Sequence, residues 1–122
     1  MKTRLTITLP AMLLAACAGY GDMAPTKTHM GALTNPDGMT LYVFDKDMAG
    51  KSVCNGQCAA LWPPFMAKSG ASAHGDYSVV TRDDGTSQWA YKGKPLYTWV
   101  KDTKPGDMSG DGVKNVWHVA KP

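Results

Sequence analysis

The sequence predicts a small, mostly β single domain of two pseudo-symmetric repeats, made of antiparallel strands with one short helical turn near Gln57 to Trp62. Three observations carry that expectation. A gapless shift of 55 residues brings Gly38 onto Gly93, Leu41 onto Leu96, Tyr42 onto Tyr97 and Phe44 onto Trp99. The same shift brings Lys46 onto Lys101, Asp47 onto Asp102 and Trp62 onto Trp117, the mark of an internal duplication. All ten acidic residues are Asp and none is Glu, a composition that favours turns and caps over long helices. Finally, short runs rich in Tyr, Val, Thr and Trp are punctuated by Asp-Gly and Lys-Gly turn signals.

The chain opens on Met-Lys-Thr-Arg and an apolar stretch from Leu5 to Ala16, interrupted by Thr6, Thr8 and Pro10 and followed by Cys17. That stretch is shorter than the roughly 20 residues needed to cross a bilayer, so residues 1–16 read as a signal peptide. Leu14-Ala15-Ala16-Cys17 resembles the lipobox of bacterial lipoproteins, which implies cleavage before Cys17 and acylation of its sulfur. Several acyl chains make a durable anchor, so the lipid bilayer is the first expected partner. Ala18 stands where an Asp would resemble an inner-membrane retention signal, so the expected place is the periplasmic face of the outer membrane if the cell is Gram-negative. Residues 17–30, with Gly, Pro and Thr and little apolar periodicity, read as the lipidated terminus and a flexible tether.

Cleavage would leave 106 of the 122 residues, enough for one core, and would lower the formal charge from +3 to +1. No basic run remains to suggest nucleic acid as a partner. The duplicated domain is expected over 31–122, with units of about 31–66 and 87–122. Within it, Asn35-Pro36-Asp37-Gly38 is a turn leading into a strand from Met39 to Asp45. Gln57 to Trp62 is a helical turn stopped by Pro63-Pro64. Tyr77 to Arg82 and Thr86 to Tyr91 form a hairpin around Asp83-Asp84-Gly85. Lys92-Gly93-Lys94 turns the chain into a strand from Pro95 to Lys101, and Val116 to Ala120 closes the chain as a strand. Period-two alternation puts Tyr42 and Phe44 on one face and Leu41, Val43 and Asp45 on the other; Tyr97 and Trp99 likewise share a face. These aromatics predict a core, or else an aromatic-lined groove for a peptide, glycan or small apolar ligand.

Leu41 to Asp47 and Leu96 to Asp102 resemble the Tyr-x4-Asp motif of the bacterial secreted-repeat lipoproteins, a family without an assigned function. Tyr42, Asp47, Tyr97 and Asp102 are the matching positions, and Cys54-Asn-Gly-Gln-Cys58 with Trp62-Pro63-Pro64 also fits. The second repeat departs from the pattern by carrying Ser109 and Val113 where the first has its cysteines. The resemblance implies location and architecture, not a reaction.

Cys54 and Cys58 are an even pair in an oxidising compartment and predict a short structural disulfide, with a thiol-redox pair or a copper or zinc site as alternatives. His29, His74 and His118 lie at no ligand-like spacing from them. Asp107, Ser109 and Asp111 occupy positions 1, 3 and 5 of a loop with Gly112 at 6, as a calcium-binding EF-hand begins, although His118 stands where the bidentate Glu belongs. No nucleophile elbow, zinc-protease helix or phosphate loop is present, and no catalytic residue stands out. The expectation is a non-enzymatic, membrane-anchored envelope protein with a binding or structural role and no obligatory cofactor, its protein or small-molecule partner unnamed by the sequence.

Overall fold

The computed structural model describes residues 24–122. The signal peptide, Cys17 and the start of the tether lie outside the described residues. Strand β1 (Lys27–His29) pairs with β2 (Ala32–Thr34) around a two-residue turn. Met30 and Gly31 have φ of 53° and 81°, the left-handed pair that a tight hairpin with native strand twist requires. The domain therefore starts earlier than the sequence predicts, at the expense of the 17–30 tether. All three residues of β1 are exposed, so no apolar alternation advertised the strand; backbone pairing to β2 holds it.

After the turn capped by the Asn35 side chain come β3 (Tyr42–Phe44) and α1 (Gln57–Leu61), then β4 (Tyr77–Thr81), β5 (Ser87–Tyr91), β6 (Lys94–Pro95) and β7 (Trp117–Val119). A 3-10 turn at Val113–Asn115 precedes β7. Helix α1 ends where the Trp62 N–H closes on the Cys58 carbonyl and Pro63-Pro64 bars continuation. The hairpin β4–β5 forms as expected around Asp83-Asp84-Gly85. The expected strand from Pro95 to Lys101 shrinks to β6 plus a few bridges. Beyond Pro95 the chain pairs alternately to its two sides, Leu96 with Trp89 and Phe65, then Tyr97 with Tyr42, then Thr98 with Pro63. At Trp99 it turns, with the Asp102 N–H on the Trp99 carbonyl.

That alternation follows from how the repeats are joined. Tyr42 and Tyr97, equivalent residues, face each other as an antiparallel pair, N–H to C=O at 2.7 and 3.0 Å in the two directions. An approximate two-fold axis passes between them, and each repeat completes the other. β3 of the first repeat pairs with β7 of the second, while Tyr97 and Thr98 of the second pair with the Pro63-Pro64 segment of the first. The bonds repeat at the 55-residue offset: Phe65 N–H to Leu96 C=O matches Ala120 N–H to Leu41 C=O, and Val100 to Leu61 matches Asp45 to Val116. The family units are interlocked halves of one domain.

Strand alternation sorts the core into two layers. Leu33, Leu41, Leu96 and Ala120 form one, with Val43, Phe65 and Trp89 packed on it. Tyr42, Tyr97, Trp62, Trp117, Cys54 and Val119 form the other, with Phe44 and Trp99 at its edge. The expected split of Leu41 and Val43 from Tyr42 and Phe44 is what the structure has.

Candidate functional site

The Tyr-x4-Asp motif works across the axis rather than within one repeat. The Tyr42 hydroxyl donates to Asp102 Oδ2 at 2.6 Å, and the Tyr97 hydroxyl donates to Asp47 Oδ2 at 2.5 Å. In each motif the second residue after Tyr begins a turn: Asp47 N–H meets the Phe44 carbonyl and Asp102 N–H the Trp99 carbonyl, both at 3.0 Å. The turn swings each carboxylate back toward the opposite tyrosine. The second oxygen of each Asp ties down the following loop, accepting Val53 N–H at 2.8 Å or Ser109 N–H at 3.0 Å. The aspartates thus tie down the loops that follow them and also bolt the halves together. Burial, reinforced by the accepting carboxylate, pushes both tyrosine hydroxyls above their usual value of 10.0. Burial also raises Asp47 above the ordinary 3.8, against the opposing bonds from Tyr97 and Val53 and the charge of Arg82.

Around Tyr97 the network continues inward. Its proton is committed to Asp47, so the Ser52 hydroxyl donates to the Tyr97 oxygen, at 2.7 Å. Arg82, 5% exposed, donates to Ser52, Gln88, the Cys54 carbonyl and Asn55, at 2.7 to 3.1 Å. This arginine clamps the cysteine loop onto the hairpin, and no buried side-chain polar atom among the described residues is left without a partner. On the Tyr42 side the clamp is replaced by backbone: Gly110 N–H donates to the Tyr42 hydroxyl at 3.1 Å. A Cβ at Gly110 would lie 2.8 Å from Trp62 Cη2 and 3.0 Å from Tyr42 Cε2, so only glycine fits there.

Four rings stack across the same axis. Phe44 lies on Trp117 (4.2 Å, 11°), Trp117 on Trp62 (3.8 Å, 3°) and Trp62 on Trp99 (3.9 Å, 25°). The order is palindromic under the repeat, because Phe44 corresponds to Trp99 and Trp62 to Trp117. Tyr42 and Tyr97 meet the inner indoles edge-on at 5.4 and 5.1 Å. The inner indoles are buried, whereas Phe44 and Trp99 are half-buried and open onto a cleft of about 370 Å³. Leu61, Val113, Val116 and Cys58 complete its apolar wall, and Lys46 and Lys114 are the charged residues lining it. The Lys101 ammonium stands 6.0 Å from the Trp99 ring centroid. A larger, more open hollow of about 540 Å³ beside Pro36, Phe65 and Trp89 has neither the stack nor the pseudo-symmetry.

The remaining candidates separate. Cys54 and Cys58 are joined as a disulfide with Cα atoms 5.2 Å apart; Cys54 is buried and Cys58 faces the cleft. With both sulfurs so bonded, the thiolates that a redox or metal reading needs are not on offer in this state. Asp107, Ser109 and Asp111 do not converge. Asp107 binds the Thr103 and Lys104 amides and the Lys104 ammonium, which holds its carboxyl low, at about 2. Ser109 donates to Asp102 at 2.6 Å, and Asp111 accepts Val119 N–H at 3.1 Å. The loop's oxygens serve its own folding. Among the described residues no three His, Cys, Asp or Glu side chains gather as a metal site. His118 pairs with Asp45 at 2.7 Å on the exposed face, with no nucleophile beside them in the hydrogen-bond network.

Sequence reasoning missed Arg82, Ser52, Gln88 and Gly110. It placed the aromatics in register but not in a stack. The signal was available, because equivalent residues near a two-fold axis must meet.

Fold and site together define a duplicated, disulfide-bearing β module whose halves exchange Tyr–Asp bonds. Residues 25–66 and 78–121 match the family described as a secreted repeat of unknown function, and the chain belongs to that family. Its second unit begins at 78 rather than 87, taking in most of β4, which is half of the hairpin corresponding to β1–β2. Membership places the protein outside the cytoplasm, in the envelope or beyond. No curated protein and no solved structure matches the chain. Among the described residues no helix is long and apolar enough to cross a membrane.

Proposed function

We propose that this protein is a lipid-anchored, non-enzymatic envelope receptor that binds a small apolar ligand in the aromatic cleft. The carrying observation is that all four rings of the stack, Phe44, Trp117, Trp62 and Trp99, line one apolar cleft, with the two outer rings half-buried. Such a surface gains from a flat apolar guest by burial and by aromatic contact, roughly 0.5–1.5 kcal/mol per aromatic pair beyond area. The fold behind it is cross-braced, so the cleft is pre-formed and ordering costs are small. A reading without catalysis is supported by the commitment of the motif's polar groups to structural bonds.

The test is saturation-transfer NMR with 2-naphthamide, an uncharged flat probe. Saturable binding that weakens in Trp99→Ala and Phe44→Ala is expected; absence of binding, or turnover of a substrate by homogeneous protein, overturns the reading. The anchor is proposed from Leu14 to Cys17, and outer-membrane placement from Ala18. Intact mass of the protein taken from its native envelope checks both cleavage and acylation, and membrane fractionation checks placement.

A further inference from the structure

We infer that the ligand of the aromatic cleft is an organic anion: a flat apolar body carrying one carboxylate, sulfonate or similar acidic group. The inference rests on the cleft being a binding site and adds the charge of what enters it. The charged residues lining the cleft are lysines, Lys46 from the first repeat and Lys114 from the second, and no carboxylate lines it. Lys101, the repeat-equivalent of Lys46, stands 6.0 Å from the Trp99 ring centroid, and Lys46 lines the same cleft as Phe44. The aspartates of the motif, which could neutralise them, are turned inward to the tyrosines and the following loops.

A ring seated against Phe44 or Trp99 would thus present any acidic substituent to an ammonium, with apolar wall beneath and charge at the rim, the division of labour usual in ligand pockets. Lys46 and Lys114 are exposed and make no ion pair among the described residues, so they are free to meet a ligand. Lys114 is also held with φ of 54°, followed by Asn115 at 61°, a left-handed pair just after Gly112. A lysine rarely takes that conformation without a constraint, and strained backbone of this kind concentrates at functional sites.

The chain from Ala18 to Pro122, which contains every residue of the described fold, is titrated with two nearly isosteric probes, 2-naphthoate and 2-naphthamide, by ligand-observed NMR. The naphthoate is expected to bind roughly tenfold tighter at low salt, with a ratio that narrows as salt rises, as for two rim charges of ordinary strength. Lys46→Gln with Lys114→Gln should abolish the preference, so that the two probes bind alike. Both lysines are exposed, and near-UV circular dichroism verifies that the aromatic stack is retained. Equal affinity for the two probes overturns the anion assignment alone, and a preference that survives the double substitution overturns its assignment to Lys46 and Lys114. Failure of both probes to bind overturns the cleft reading beneath it.

Discussion

Removing the Tyr42 hydroxyl with Tyr42→Phe leaves Asp102 Oδ2 without its donor and Gly110 N–H without its acceptor, both in buried surroundings. A hydrogen bond to a charged acceptor contributes about 1.5–3 kcal/mol, and stranding its buried partner makes the upper part of that range the expected loss. In a domain of this size each kcal/mol lowers Tm by about 4–8 °C. The informative quantity is the coupling. A double-mutant cycle pairing Tyr42→Phe with Asp102→Ala should return an interaction of about 1.5 kcal/mol or more. The cycle pairing Tyr42→Phe with Asp47→Ala, the partner within its own motif, should be additive within about 0.5 kcal/mol, because Tyr42 and Asp47 share no hydrogen-bond partner. The mirror cycle, Tyr97 with Asp47, should couple as strongly as Tyr42 with Asp102. Urea denaturation followed by tryptophan fluorescence measures all three. Coupling within a motif that equals or exceeds coupling between motifs would refute the exchanged arrangement.

Gly110→Ala should cost about 1–3 kcal/mol by forcing its Cβ against Trp62 and Tyr42, and should weaken the near-UV dichroism of the indole stack; a neutral substitution in the same denaturation assay would contradict the packing. The half-buried Asp47 has a raised pKa, so folding favours its protonated form, and its contribution to stability rises as pH falls through the folded value toward 3.8. Asp47→Asn removes that compensation, so between pH 6 and 3 the variant should lose stability more steeply than the parent; parallel profiles would show the carboxylate unperturbed. Asp107 acts oppositely, with stability present above the unfolded value and lost as pH falls toward about 2. Replacing Cys54 and Cys58 by Ser should cost no more than about 2 kcal/mol, since the closed loop is short, and Arg82 should keep the loop docked; a variant unfolded by circular dichroism would mean the clamp cannot hold it alone.

Much of the architecture was legible in the residues. The 55-residue offset, the Asp-Gly hairpin, the helix stopped by Pro63-Pro64 and the face assignments at Leu41 to Phe44 all follow from local rules of period and turn chemistry. What escaped was non-local. Nothing in Leu96-Tyr97-Thr98 says that successive residues pair on opposite sides, and nothing in a Tyr-x4-Asp spacing says that the two residues bond to the other copy. The strand β1 was invisible for the opposite reason, since it buries no side chain and owes its place to backbone bonds. At Asp107, Ser109 and Asp111 the spacing says nothing of what the structure shows, each oxygen bonded to a nearby donor or to the motif aspartate.

The pairing of β3 with β7 bears on export. Tyr42–Phe44 lies early in the domain and Trp117–Val119 late, so the inner-indole pair and both Tyr–Asp bonds form only when nearly the whole domain is present. A chain emerging from one end has no stable half to settle into on the way, because each repeat's core waits for the other's last segment. Such a domain is expected to set as a unit, once its last segment is present.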